Sequence, residues 1–223
     1  MDIGLDGFNL FRADRKGKGG GVAIYVRLCF QISVLVSVTV PKEYECLVLS
    51  VNLGENSQVT VIGAYRPPSA PPCAIDNLVD IFSSFTASEM LIMGDFNLDW
   101  DKPISDSLKD MCTNLNLTQL ITKPTRPNAQ CSSRSSLIDI ILTNMPQRYA
   151  SSGVFPQDVS DHCPIACIRN VKLRRTKPRI ISKRNFRNFD AQEFLHDLNV
   201  GDLNRVFLIN DPDLALAYFR QQF

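Results

Sequence analysis

Leu91-Ile92-Met93-Gly94-Asp95-Phe96-Asn97 reads as a short apolar strand that runs into a glycine and then presents two polar groups two residues apart. Residues i and i+2 of a strand share a face, so this spacing puts Asp95 and Asn97 on one side of a sheet. A carboxylate beside an amide can take a proton from water while the amide orients a phosphate oxygen. The same residues also suit an Asx turn at a strand end, which carries no chemistry of its own.

Working outward, Gly20 to Val26, Ile32 to Val40, Tyr44 to Leu53 and Val59 to Tyr65 are β-rich runs separated by turn formers such as Pro41-Lys42 and Gly54-Glu55-Asn56-Ser57. They predict an antiparallel meander. Ile75, Leu78, Val79 and Phe82, and later Leu108, Met111, Cys112 and Leu115, recur at helical spacing. Leu137 to Leu142, Val154-Phe155 and Cys163 to Ile168 complete the strands. Many strands with few helices between them point to an α+β sandwich rather than a regular βαβ alternation.

Asp139 interrupts the apolar run Leu137 to Leu142, and a buried carboxylate needs a partner. In Ser160-Asp161-His162-Cys163-Pro164-Ile165 an acid and an imidazole stand at the mouth of a strand, and His162 is one of only two histidines. Adjacent residues point to opposite faces of a strand, so both would serve one site only from a turn. Paired with Asp139, His162 would have its tautomer fixed and its basicity raised; a lone histidine is otherwise a structural residue.

Composition narrows the classes. The 44% apolar and 21% charged content over 223 residues describes a globular protein rather than a disordered one. Ile32 to Val40, the longest apolar stretch, is too short to span a bilayer, and no signal peptide opens the chain. Cytosolic synthesis with access to the nucleus is the expected localisation. Seven cysteines without C-x-x-C pairs suit a reducing compartment, with Cys163 and Cys167 as small core residues. The net charge of +1 is uninformative, but Lys172 to Arg187 holds eight basic residues and no acidic one, as a solvated linker or a phosphate-contacting segment would.

In the order GDFN, then SLIDIILTN, then SDHCPI, these motifs resemble the endonuclease/exonuclease/phosphatase superfamily. GGGVAIYV (19–26), AYRPPSAPP (64–72), LIMGDFNLDW (91–100), KPTRPN (123–128) and SDHCPIACI (160–168) are similar to the endonuclease domain of LINE-type, non-LTR retrotransposons. The resemblance covers roughly residues 7 to 170. It implies a DNase I-like four-layer αββα sandwich and a DNA endonuclease that nicks its target for reverse transcription. It implies that Asp95 activates the attacking water, Asn97 holds the scissile phosphate, His162 stabilises the transition-state charge and Asp139 orients His162. Tyr65 would contact the phosphate, Thr125 and Ser136 would support the site, and Asp161 would lie near a Mg²⁺ or Mn²⁺ ion. No small-molecule cofactor is implied.

Members of that family begin with strands bearing an asparagine and a metal-binding glutamate, which Glu43, Glu45 and Glu55 do not match. An N-terminally truncated, impaired enzyme is therefore expected. The implied organisation is a nuclease domain at 1–170, a basic linker at 171–189 and a helical connector at 190–223, which in a longer parent leads to a reverse transcriptase domain. Two other readings remain: a catalytically inactive module binding nucleic acid or a partner, and a phosphatase of small esters. Gly17 to Gly21 is read as a hairpin turn rather than a phosphate cradle, and Arg66 to Pro71 as a rigid surface loop.

Overall fold

Among the described residues, alternating aliphatic and β-branched residues build ten strands, and their parity decides what each side chain meets. The computed structural model describes residues 4–15, 20–54, 57–128, 135–156, 160–170, 189–200 and 203–221. A six-stranded mixed sheet is its centre. β3 (Gln31–Val40), β4 (Tyr44–Gly54) and β5 (Ser57–Tyr65) form an antiparallel meander. A helix, α1 (Cys73–Ser83), then returns the chain so that β6 (Met90–Asp95) runs parallel to β5. β8 (Asp139–Thr143) lies antiparallel to β6, and β7 (Thr118–Gln119) closes that edge.

Even-numbered residues of the central strands, among them Cys46, Val48, Ile62 and Ile92, share one core with Ile75, Leu78 and Phe82 of α1 and Leu108 and Met111 of α2 (Asp106–Asn114). Odd-numbered Leu47, Leu49, Val51 and Val59 form a second core with residues of a separate hairpin, β1 (Phe8–Ala13) and β2 (Val22–Arg27). β9 (Tyr149–Val154) and β10 (Ile165–Arg169) make another hairpin, which packs on β8. The layers are thus helices, central sheet and two hairpins.

This arrangement corrects one expectation: β2 does not join the meander but pairs with β1, while the turn expected at Gly17 to Gly21 lies, up to residue 19, outside the described residues. The alternation of β2 buries Val22, Ile24 and Val26 only partly, against the odd face of the sheet. Gly63 makes room for this contact, since a Cβ there would lie 2.6 Å from Val22 Cγ1.

Each hairpin is pinned to the central sheet by one buried glutamate. Glu45 of β4 accepts from Arg15 Nε at 2.7 Å and Nη2 at 3.0 Å. Glu89, just before β6, accepts from Arg169 Nε and Nη2, both at 2.6 Å, and from Arg148 and Tyr149. A carboxylate out of water persists only when it is paired and hydrogen-bonded, which both are.

The chain divides into two units, Met1–Leu173 and Arg174–Phe223. The second holds α3 (Ala191–Val200) and α4 (Pro212–Gln221). Asp190 and Asp211 cap them, accepting from the backbone N–H groups of Gln192 and Asp213 at 2.8 and 2.9 Å. The basic segment expected as a linker lies, from 171 to 188, outside the described residues. Among the described residues no helix is long and apolar enough to cross a membrane.

Candidate active site

Strand register brings four polar residues into line. Glu45 pairs with Tyr65, Tyr65 with Asp95, and Asp95 with Asp139. Cross-strand partners share a face, so these side chains form a row across β4, β5, β6 and β8 on the hairpin side. Gly94 lets β6 close on β5, because a Cβ there would fall 1.7 Å from the Ala64 carbonyl oxygen.

Asp95 ends its strand, and the strand period does not carry on to Asn97. Asn97 adopts a left-handed φ of 52°, a conformation asparagine tolerates better than most residues. The resulting Asx turn makes Asn97 donate its backbone N–H to Asp95 Oδ1 and its side-chain amide to Asp95 Oδ2, both at 2.9 Å. The same amide reaches the Arg66 carbonyl at 2.9 Å. The turn itself therefore creates the juxtaposition that strand spacing predicted. Burial pushes the Asp95 carboxyl up, with Asp139 adding to the rise, while Asn97 and His162 pull it down.

Asp139 sits at the start of β8 with each carboxylate oxygen engaged. Thr125 Oγ1 donates to Oδ2 at 2.7 Å, and His162 Nδ1 lies 2.9 Å from Oδ2 and 3.2 Å from Oδ1. This acceptor assigns the ring proton to Nδ1 and leaves Nε2 for the cavity. Thr125 is fully buried, and its hydroxyl also accepts from the backbone of Asp139 at 3.1 Å. Ser136 places Thr125 through backbone bonding, its carbonyl accepting from the N–H groups of Thr125 and Arg126 at 2.9 and 3.0 Å.

The turn at Ser160 to His162 sends its two titratable groups apart. His162 goes to Asp139, whereas Asp161 pairs with Arg126 Nη2 at 2.7 Å, and this hydrogen bond holds its carboxyl below the usual range. Asp161 stays outside the group formed by Asp95, Asp139 and His162, whose donor atoms lie within 4.8 Å of one another. Two carboxylates and an imidazole suit a hard or borderline divalent ion that completes its shell with water.

Tyr65, Asp95, Asp139 and His162 line one cavity of about 680 Å³, whose walls include Val22 and Ile24 of β2 and Ile165 of β10. Burial raises the Tyr65 phenol, as does Asp95, while Arg15 lowers it. The site thus lies in the trough between the two hairpins.

Sequence reasoning missed Arg66 and both glutamate pins. The Arg66 guanidinium is buried and donates to the carbonyls of Ala70 at 2.6 Å and Pro67 at 3.3 Å. Its backbone N–H donates to the Asp95 carbonyl at 2.9 Å. The proline-rich loop is thereby folded around an internal cation and tied to the end of β6, with its tip at Pro68-Ser69 exposed. Glu45 was open to detection, because a charge between Tyr44 and Cys46 in an apolar strand demands a partner.

Residues 59–166 match the family model described as endonuclease-reverse transcriptase. None of the curated proteins matches the chain. Among solved structures, the chain is similar to the endonuclease domain of TRAS1, a telomere-specific non-LTR retrotransposon, at 16% identity and a TM-score of 0.58, over 75% of this chain and 81% of that one. An endonuclease/exonuclease/phosphatase family protein from Leptotrichia buccalis gives 17% and 0.57, over 75% and 74%. A mannosyl-6-phosphatase from Bacteroides thetaiotaomicron gives 15% and 0.51, over 74% and 78%. The fold is the DNase I-like α+β sandwich shared by endonuclease/exonuclease/phosphatase proteins, a scaffold that hosts more than one chemistry.

Proposed function

We propose that residues 4–170 form a divalent-metal-dependent phosphodiesterase that nicks DNA. The carrying observation is the Asp95, Asp139 and His162 group, ordered by Thr125 and set in the wall of an open cavity. The match of residues 59–166 to an endonuclease-reverse transcriptase family favours a nucleic acid over a small ester as substrate.

In this reading Asp95, its two oxygens steadied by Asn97, takes the proton of the attacking water. Asn97 holds Asp95 in place and exchanges one of its amide bonds for a phosphate oxygen when substrate binds. His162, fixed through Nδ1 by Asp139, presents Nε2 to the charge that builds on phosphorus, and Asp139 stabilises the imidazolium. Tyr65 stays protonated and donates a hydrogen bond to the phosphate. Asp95 and Asp139 would hold a Mg²⁺ or Mn²⁺ ion, which when bound would supply charge for the phosphoryl and leaving oxygens.

The test is nicking of supercoiled plasmid by the full chain with Mg²⁺, set beside phosphate release from a sugar phosphomonoester. Magnesium-dependent nicking that falls about 10²–10⁴-fold in Asp95→Ala and in His162→Ala supports the reading. Faster release from the monoester makes the protein a phosphatase. DNA binding without hydrolysis of either substrate makes it an inactive binding module.

A further inference from the structure

Arg15 follows β1, and its guanidinium centre lies 5.6 Å from the ring centroid of Tyr65. The side chain is 22% exposed, whereas the Glu45 side chain on which it rests is fully buried. Glu45 adjoins Tyr65 in register, and Tyr65 lines the cavity beside Asp95. A cation is thus fixed at the end of the polar row, one strand beyond Tyr65.

Packing alone does not explain this pair. Leu47 and Leu49 fill the next positions on the same face of β4 and are buried without any charge. Taking a carboxylate out of water costs several kcal/mol before pairing, so a leucine would secure the hairpin at smaller cost. What the bidentate pair adds is a guanidinium with one orientation. A fixed planar fork beside an aromatic ring is suited to phosphate oxygens, which it binds through paired N–H donors.

We propose that Arg15, seated on Glu45 and laid over Tyr65, binds a nucleic-acid phosphate next to the one handled by Asp95 and His162. The assignment rests on the phosphodiesterase reading above and adds a second contact to the same strand.

The test measures binding of the full chain to a short fluorescein-labelled DNA duplex over a salt series without divalent ions. Each phosphate contact contributes about −0.9 to the slope of log K against log salt on duplex DNA. Arg15→Gln combined with Glu45→Gln removes one cation and one anion, so net charge is unchanged and an amide pair replaces the ion pair. The expected result is a slope shallower by about 0.9, with weaker binding for every duplex sequence. A folded double variant with the parental slope and affinity overturns the assignment and leaves Arg15 as a pin only, while magnesium-dependent nicking still upholds the parent reading. A parent chain that shows no salt-dependent binding overturns both. If the double variant does not fold, Arg15→Lys keeps the cation and loses the fork. A neutral methylphosphonate beside the scissile linkage then costs the parent chain more affinity than it costs Arg15→Lys, and equal losses overturn the assignment.

Discussion

The two faces of the central sheet differ in how completely they are covered toward β6 and β8, away from Leu47 and Leu49, which the β1–β2 hairpin buries. On the helix side Cys46, Val48, Ile62, Met90 and Ile92 are each 0% exposed. On the hairpin side Leu91 and Met93 of the same β6 are half-buried, and the Tyr65, Asp95 and Asp139 row opens into the cavity. One strand therefore serves two purposes: Met90 and Ile92 hold the fold, while Met93 and Asp95 reach the cavity. Close packing on both faces would leave no room for substrate, and an open trough on both would leave too little buried area for stability.

The largest stability effect expected falls on the tie between the β9–β10 hairpin and the sheet. Glu89→Gln leaves Arg169 and Arg148 without their anion and costs about 3–5 kcal/mol in urea unfolding at neutral pH. Burial raises the Glu89 carboxyl, but the hydrogen bonds from Arg169 and Arg148 outweigh it and leave the pKa low. A depressed carboxylate contributes stability that is present above its unfolded pKa and lost as pH falls through the folded value. The difference between parent and variant should accordingly shrink in acid, and a difference that grows there would refute the pin.

Next in size, Ile92→Ala on the sealed face should cost about 2–5 kcal/mol through lost burial and a residual cavity. Its neighbour Met93→Ala, on the open face, should cost about 1 kcal/mol, because part of its surface already meets solvent. Equal losses would mean that the trough is closed in solution.

Much of this division was legible in the residues. Leu91 to Met93 is a continuous apolar run and Leu137 to Leu142 one broken only by Asp139, and both lead into central strands. Asp139 stood out because a charge in such a run needs a partner, and the structure supplies His162 and Thr125. β1 was not legible, since Phe8-Asn9-Leu10-Phe11-Arg12-Ala13 mixes polar and apolar residues as an incompletely covered hairpin strand does. Glu89 escaped because its partners Arg148 and Arg169 lie 59 and 80 residues away, a distance at which spacing carries no information. Arg66 escaped because a cation between a tyrosine and two prolines looks like a solvated loop residue, and only the folded loop shows its carbonyls turned inward.

Asp95→Asn, followed by both thermal unfolding and plasmid nicking, tests the division most directly. Burial and the nearby Asp139 raise the Asp95 carboxyl, so ionising it opposes folding. That penalty is full above the raised folded pKa and absent below the unfolded value of about 3.9. Without divalent ions, the variant should therefore melt higher than the parent at neutral pH, by a margin that vanishes as pH falls toward 4, while magnesium-dependent nicking drops at least about 100-fold. A variant that melts lower, or that nicks as fast as the parent, would contradict the claim that the open face trades stability for chemistry.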